Sequence, residues 1–352
     1  MDLEPLVFQP SDWLRGGGPD SDVVLSSRVR IARNLTDLPF MTRASSSART
    51  HIEGKIHEAI GQAAIAPATH YMDLEETSEL DRTFLVERRL ISRELANSEG
   101  QRSVVFEPDE STSIMINEED HLRLQVFCPG FDIRQTWQTA SEIDNRLEQH
   151  LDYSFHPKYG YLTACPTNVG TGMRLSIMLH LPGLVLSEEI GKVFSAVTKV
   201  NLAVRGLHGE GTQASGHFYQ VSNQFTLGKS EEEVLDIILK FVPQILEYER
   251  RMRRTLLDQQ KRRIENHIWR AFGLLANARL IGSIEAYDLL SSIRLGRHMG
   301  ILPELDISVI NGLFTLIQPA HIQKMVGCPL DAKERDASRA TFLRKQIKTL
   351  TC

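Results

Sequence analysis

At Ser230 the chain changes period, and that change limits the possible folds more than any other feature. Before it, short apolar alternations recur near 103–107, 112–117, 121–128, 172–180, 200–206 and 217–222, the two-residue period of strands. Helical patterns fall between them over 45–64, 79–88, 134–149 and 187–198, the first opening from a serine cluster. From Ser230-Glu231-Glu232-Glu233 to Cys352 the pattern is helical throughout. A serine followed three positions later by glutamate is a capping box, so a long helix starts there. Breaks fall near Gly282, Gly300-Ile301-Leu302-Pro303 and Gly327-Cys328-Pro329. Strands joined partly by turns and partly by helices imply an α+β domain with a mainly antiparallel sheet flanked by helices. An all-α domain follows it. The reading divides the chain into an N-terminal arm over 1–19, an α+β domain over 20–254 and a helical domain over 255–352. The second boundary lies inside or at the end of a continuous helix. Gly16-Gly17-Gly18-Pro19-Asp20 is a flexible entry, and Trp13 and Leu14 of the arm are expected to dock on the domain.

The chemistry concentrates in Cys165-Pro-Thr-Asn-Val-Gly-Thr-Gly-Met-Arg174. The proline holds the cysteine's segment extended. Thr167, Asn168, Gly170, Thr171 and Gly172 form a loop whose backbone N–H groups can point at an anion, and Arg174 adds a planar cation suited to phosphate. A thiol beside such a loop is a candidate thiolate. Four further segments share this character. Ser26-Ser27-Arg28-Val29-Arg30 carries two arginines on one face if extended. Asn117-Glu118-Glu119-Asp120-His121-Leu122-Arg123 sets carboxylates ahead of an arginine, with Glu119, His121 and Arg123 on one face by alternation. Arg205-Gly206-Leu207-His208-Gly209-Glu210-Gly211 is a glycine-rich turn with an arginine and a carboxylate. Arg335-Asp336-Ala337-Ser338-Arg339-Ala340 lies near the C-terminus on a predicted helix, where positions i and i+4 share a face.

Bulk properties exclude several classes. Of 352 residues, 41% are hydrophobic and 24% charged, which fits a globular enzyme with a sizeable core. The formal net charge of −5 argues against non-specific nucleic-acid binding. No apolar run reaches the length of a membrane span, and the N-terminus carries no basic-then-apolar signal. Cys128, Cys165, Cys328 and Cys352 are scattered, so neither a disulfide framework nor a zinc cluster is expected. A reduced cytoplasmic protein is the expectation. Neither a G-x-x-x-x-G-K-[ST] loop nor a G-x-G-x-x-G-x-V loop is present, so any triphosphate must be cradled by arginines.

From about Asp20 to Glu249 the chain resembles the catalytic domain of the phosphagen (guanidino) kinases. Ser-Ser-Arg-x-Arg, Asn-Glu-Glu-Asp-His-Leu-Arg and Cys-Pro-Thr-Asn-x-Gly-Thr-Gly carry the match, in the family's order. A helical N-terminal domain of the small-molecule enzymes is missing, and a segment ending in Arg-Asp-x-x-Arg-Ala is added, which resembles the bacterial protein arginine kinases. The resemblance implies ATP with Mg²⁺ held mainly through the phosphates, clamped by Arg28, Arg30, Arg123, Arg174 and Arg205. The flanking residues Ser26, Ser27, Val29, Leu175, Ser176, Ile177, Met178, Gly206, Leu207, His208, Gly209 and Glu210 complete the nucleotide segments. Arg89 and Met178 stand where relatives carry histidines on the adenine side. Glu119 matches the family's base, Glu210 its second substrate-holding carboxylate, and Cys165 the thiolate set against the substrate guanidinium. Arg335, Asp336 and Arg339 match a phosphoarginine-binding motif, against which stands an ordinary charged pattern on a solvated helix. The resemblance further implies protein substrates with exposed arginines, a Clp-type AAA+ protease and an activator protein as partners, and a homodimer through the C-terminal helices. A small-molecule guanidino kinase and a non-catalytic phosphoarginine reader are the alternatives.

Overall fold

The computed structural model describes residues 3–206 and 215–349. The arm opens with α1 (Glu4–Val7) and a single helical turn at Asp12–Leu14. β1 (Val24–Arg33) follows, then α2 (Ser46–Ala63), β2 (His70–Asp73), α3 (Glu79–Glu87) and α4 (Arg93–Asn97). β3 (Ser103–Phe106), β4 (Thr112–Ile116) and β5 (Leu122–Pro129) lead into α5 (Ile133–Glu148). A small hairpin, β6 (Phe155–His156) and β7 (Gly160–Tyr161), precedes β8 (Met173–His180), α6 (Pro182–Leu186), α7 (Ile190–Lys199), β9 (Leu202–Gly206) and β10 (Phe218–Asn223). The helical part comprises α8 (Glu231–Asn277), α9 (Ser283–His298), α10 (Ile307–Leu316), α11 (Pro319–Val326) and α12 (Ala332–Thr349).

Eight strands form one antiparallel sheet in the order β2-β3-β4-β5-β1-β8-β10-β9. β5 and β1 are its central strands, β8 lies beside β1, and the inner stretches of β1 and β8 divide their side chains between the two faces. Val29, Ile31, Leu175, Ile177 and Leu179 are buried on one face, in a core shared with α2, α5, α7 and the first half of α8. Their neighbours in sequence, Arg28, Arg30, Arg174, Ser176 and Met178, occupy the other face. Period-two alternation thus separates the core from the cleft within single strands.

α8 begins at the capping box: the Ser230 hydroxyl accepts from the Glu233 N–H, and the Glu233 carboxylate accepts from the Ser230 N–H at 2.6 Å. The helix runs 47 residues, carries Pro243 and breaks helical geometry at Gln260 (φ −133°, ψ 29°). Residue 255 therefore falls inside it. The later helices pack on the far end of the sheet, in a cluster joining Leu25, Phe127, Met178 and Phe218 to Ile268, Leu290, Ile293 and Phe314. Arg294 of α9, fully buried, ties the two parts by donating to the carbonyls of Ser21 and Asp22 and to the His180 ring. The arm docks as expected, with Trp13 stacked on Phe127 at 4.7 Å and Leu14 buried. Arg88 holds the arm, donating to the Leu6 and Gln9 carbonyls and to Glu110. Among the described residues no helix is long and apolar enough to cross a membrane.

Candidate active site

The second face of the sheet forms the wall of a cavity of about 820 Å³. Arg28 and Arg30 reach it from β1, Arg123 from β5, Arg174 from β8 and Arg205 from β9. The register explains why they meet. Arg30 lies opposite Arg174 and Gln125, Arg28 opposite Ser176 and Phe127, and Gln220 opposite Arg205 and Met178. Residues opposite one another in an antiparallel ladder share a face. Ser26, Ser176, Met178, Gly206 and Arg89 line the same cavity. Ser27, Val29, Leu175 and Ile177 do not, since their side chains fall on the core parity. The Ser27 hydroxyl instead donates to the Gly130 carbonyl and accepts from the Asp132 N–H. Leu207, His208, Gly209 and Glu210 lie outside the described residues.

The arginines have few anionic partners. Arg28 donates to the Gln220 side-chain amide at 2.9 Å and Arg174 to the Ser222 hydroxyl at 3.1 Å. The Nε–H groups of Arg30 and Arg174 are buried without a partner. Burial and the neighbouring guanidiniums of Arg89, Arg123 and Arg174 push Arg28 down to about 9. Burial and the same kind of crowding hold Arg30 and Arg174 below their ordinary values. Guanidiniums crowded this way are poised for a multiply charged anion. Arg123 differs, because it is paired with Glu118. Burial works against its charge, but Glu118, Glu119 and Glu94 outweigh that and hold it above its ordinary value.

Glu119 sits in the turn before β5. It is exposed, while Glu118 and Asp120 on either side are buried. Partial burial and the charges of Asp120 and Glu118 raise its pKa, against the opposing pull of Arg123 and a hydrogen bond from the Cys165 thiol. The carboxylate and the thiol are therefore together. Asp120 is the reason: its Oδ1 accepts from the Ala164 N–H at 2.7 Å and from the Asn34 amide at 2.6 Å, fastening the cysteine loop to the end of β1. His121 does not join the polar face that alternation assigned it. It lies in the turn, fully buried, accepting from the Leu35 N–H and bonded to the Pro39 carbonyl.

Cys165 is extended (φ −92°, ψ 122°), as a residue before proline should be, and its Sγ lies 3.1 Å from the Thr167 hydroxyl. The loop beyond it differs from an anion-binding nest. The N–H groups of Asn168, Val169 and Gly170 donate to the carbonyls of Cys165, Pro166 and Tyr161. Its glycines serve close packing instead. At Gly172 (φ 65°) a Cβ would meet the Ala32 carbonyl at 2.6 Å. Arg33, buried beside Asp144, holds this loop by donating to the Thr171 carbonyl at 2.9 Å. Sequence reading missed Arg33, Asn34 and Asp120. The available signal was parity, which puts Arg33 on the face opposite Arg28 and Arg30.

The C-terminal motif is elsewhere. Arg339 is buried, with its Nε–H donating to the Ile317 carbonyl and its Nη1 to the Ile281 carbonyl and to Asp336 at 2.6 Å. Arg335 and Asp336 are half-exposed, with Arg335 bonded to the Leu330 carbonyl.

Comparison with known proteins agrees with this geometry. Residues 51–252 match the family described as ATP:guanido phosphotransferase, C-terminal catalytic domain, and residues 261–351 match the Protein-arginine kinase McsB C-terminal domain. A protein-arginine kinase of Halothermothrix orenii is 43% identical over 99% of this chain and 99% of its own. One from Moorella thermoacetica is 45% identical, over 96% and 97% respectively. Among solved structures, a duplicated taurocyamine kinase from Schistosoma mansoni with bound transition-state-analogue components superposes with TM-score 0.58 at 26% identity. It covers 71% of this chain and 35% of that one. Lombricine kinase shares the fold with TM-score 0.57 at 23% identity, covering 67% and 68%. Arginines gathered on one sheet face, a carboxylate beside a thiol and matches across nearly the whole length make this chain a phosphotransferase of the protein-arginine kinase family.

Proposed function

We propose that the protein transfers the γ-phosphoryl group of ATP to arginine side chains of other proteins. The observation that carries this reading is the convergence of Arg28, Arg30, Arg123, Arg174 and Arg205 on one cavity wall, with Glu119 and Cys165 held together by Asp120. Phosphoryl transfer needs little covalent help from a protein; it needs charge neutralised and two reactants aligned. The arginines supply the first. Glu119 supplies the second, gripping the substrate guanidinium and accepting its proton as the N–P bond forms and the bond from phosphorus to the ADP oxygen breaks. The Cys165 thiolate would stabilise the same guanidinium, and Glu210 would hold it from the other side. Mg²⁺ fits as a passenger on the phosphates, since the wall offers donors and Glu118 is already engaged by Arg123; it would supply neutralisation of the triphosphate charge.

Glu119's raised pKa favours this role, because it makes the carboxylate a stronger base than an ordinary one. Asp336 and Arg335 would read phosphoarginine on α12, with Arg339 fixing Asp336 from below. Marking of proteins for a Clp-type AAA+ protease, an activator protein and a cytoplasmic setting complete the reading, together with a division of the chain near residue 255. Pairing of two copies through the C-terminal helices finds support in exposed Trp269, Leu274, Leu280 and Ile284. Incubation with γ-labelled ATP and either free arginine or a folded basic protein is the decisive experiment. Acid-labile label on the protein alone is expected. Label on free arginine alone makes this a small-molecule kinase, and label on neither leaves a phosphoarginine reader.

A further inference from the structure

Ten large apolar side chains are exposed among the described residues, and four of them stand on two segments that clamp the cysteine loop. Phe155 and Tyr159 belong to the β6–β7 hairpin, Phe225 and Leu227 to the turn between β10 and α8. Hydrogen bonds fix both segments against the loop. On one side Tyr161 and Gly170 exchange backbone bonds at 2.8 and 3.2 Å. On the other the Thr226 hydroxyl reaches the Val169 and Thr167 carbonyls at 2.7 and 3.1 Å. Two glycines set the spacing. A Cβ on Gly160 would meet the Gly170 carbonyl at 2.5 Å, and one on Gly170 (φ 116°) would meet the Thr226 carbonyl at 2.5 Å. Hairpin, cysteine loop and turn are therefore three touching layers, with Pro166 and Thr167 exposed along the middle one.

We propose that these four side chains dock the acceptor protein, holding apolar residues that flank the arginine to be phosphorylated. The proposal rests on the reading of protein arginine as acceptor and adds what surrounds that arginine. Three observations carry it. First, the fold itself does not use these side chains. Tyr161 lies 3.5 Å from the Arg33 guanidinium and Thr226 is buried, whereas Phe155, Phe225, Leu227 and Tyr159 are 58, 56, 52 and 44% exposed. One exposed apolar residue needs no explanation, but two pairs bracketing a single loop mark a surface for contact. Second, the occupant follows from where its arginine must go. The guanidinium has to meet Glu119 and Cys165, and Cys165 opens the clamped loop. The main chain carrying it then crosses the exposed face of that loop. Residues a few positions to either side, at roughly 3.3 Å each along an extended chain, fall on the hairpin and the turn. Free arginine has no such neighbours and would leave all four side chains in water. Third, the rim is mostly aromatic, the side-chain class enriched where proteins meet.

Two peptides with one central arginine test this on the full-length protein. In one, leucine and phenylalanine flank the arginine; in the other, serine and glycine take their places. Wild type, Tyr159→Ser, and Phe225→Ser combined with Leu227→Ser would be assayed with saturating γ-labelled ATP and Mg²⁺. Wild type should favour the apolar peptide by about tenfold in kcat/KM, carried by a lower KM. Each variant should lose most of that preference through a higher KM for the apolar peptide. Its kcat, its KM for ATP and its use of the serine–glycine peptide should stay as in wild type. The variants lie on separate segments at exposed positions, and the wild-type preference decides by itself if either misfolds. Equal use of the two peptides by wild type would overturn the proposal. So would variants that slow both peptides alike, which would make the rim a support for the loop. A preference that survives in a folded variant would also overturn it, and a changed sedimenting mass there would give the rim to a second copy of the chain. Label on neither peptide sinks the proposal too; a folded basic protein then separates the two readings, since label on it keeps the protein kinase and no label removes it.

Discussion

Glu119 and Glu118 are adjacent in sequence, and the fold gives them opposite jobs. Burial opposes ionisation of Glu118, yet Arg123, the Ser92 hydroxyl and the Glu119 N–H outweigh it and keep that carboxyl below its ordinary value. Glu119 is pushed the other way. Replacing Glu119 with Gln should lower turnover by roughly 10²–10⁴-fold with ATP affinity unchanged, as measured by steady-state kinetics and calorimetry. The pH profile gives a sharper check. A base must be unprotonated, so activity should rise with pH through a midpoint above the ordinary carboxylate range. Glu118→Gln removes one neighbouring negative charge and frees Arg123, both of which lower the Glu119 pKa. The acid limb of kcat/KM should therefore move to lower pH; a limb that stays in place would dissociate Glu119 from the rate. The carboxylate motif was legible from its pattern beside Arg123. What Asp120 and His121 do was not, because both act on backbone groups of Ala164, Leu35 and Pro39, far away in sequence.

Strand parity explains most of what could be read from the chain at the level of elements. Six strands and four helices of the α+β part were visible as alternations or helical stretches, and the arginines fell on one face as spacing required. β1 was visible only as two arginines two residues apart, since its burial on both sides of the sheet's centre blurs alternation over Val24–Arg33. β2, α4 and α6 are short and escaped notice. So did the break between α10 and α11, where Pro319 opens the second helix. The β1–β8 pairing carries a prediction of its own. Arg30 lies directly opposite Arg174, a like-charge pair that costs stability when unliganded. Arg174→Gln should raise the unfolding midpoint of the nucleotide-free protein by about 1–3 °C, as judged by calorimetry. The same change should weaken ATP binding and slow transfer. A variant that is less stable and binds ATP normally would make Arg174 a structural residue.

At the scale of the whole molecule, the C-terminal helices are fastened by buried arginines rather than by apolar packing alone. Arg339 joins α12 to the Ile281 carbonyl ahead of α9 and to the Ile317 carbonyl between α10 and α11. Arg339→Ala leaves those carbonyls unsatisfied and should cost on the order of 2–3 kcal/mol, seen as a lower denaturation midpoint. Loss of phosphoarginine binding in that variant would therefore report unfolding as readily as a lost contact. Arg335→Ala, at a half-exposed position, should remove the second ligand while leaving stability and ATP affinity within error, whereas Asp336→Ala should remove it at a cost in stability, because buried Arg339 loses its carboxylate partner. Spacing alone read as an ordinary charged pattern on a solvated helix, and only the resemblance made ligands of all three; that Arg339 is engaged by backbone carbonyls depends on helices that meet only in the fold. The crowded cationic wall has a further consequence. A cleft holding several guanidiniums against few carboxylates does not stay bare in a cell; it condenses whatever small anions surround it. ATP binding is then an exchange of counterions, and apparent affinity should fall steeply with total anion concentration and more steeply in sulfate than in chloride. Such an enzyme measures its nucleotide against the anion load of its surroundings, not against empty water.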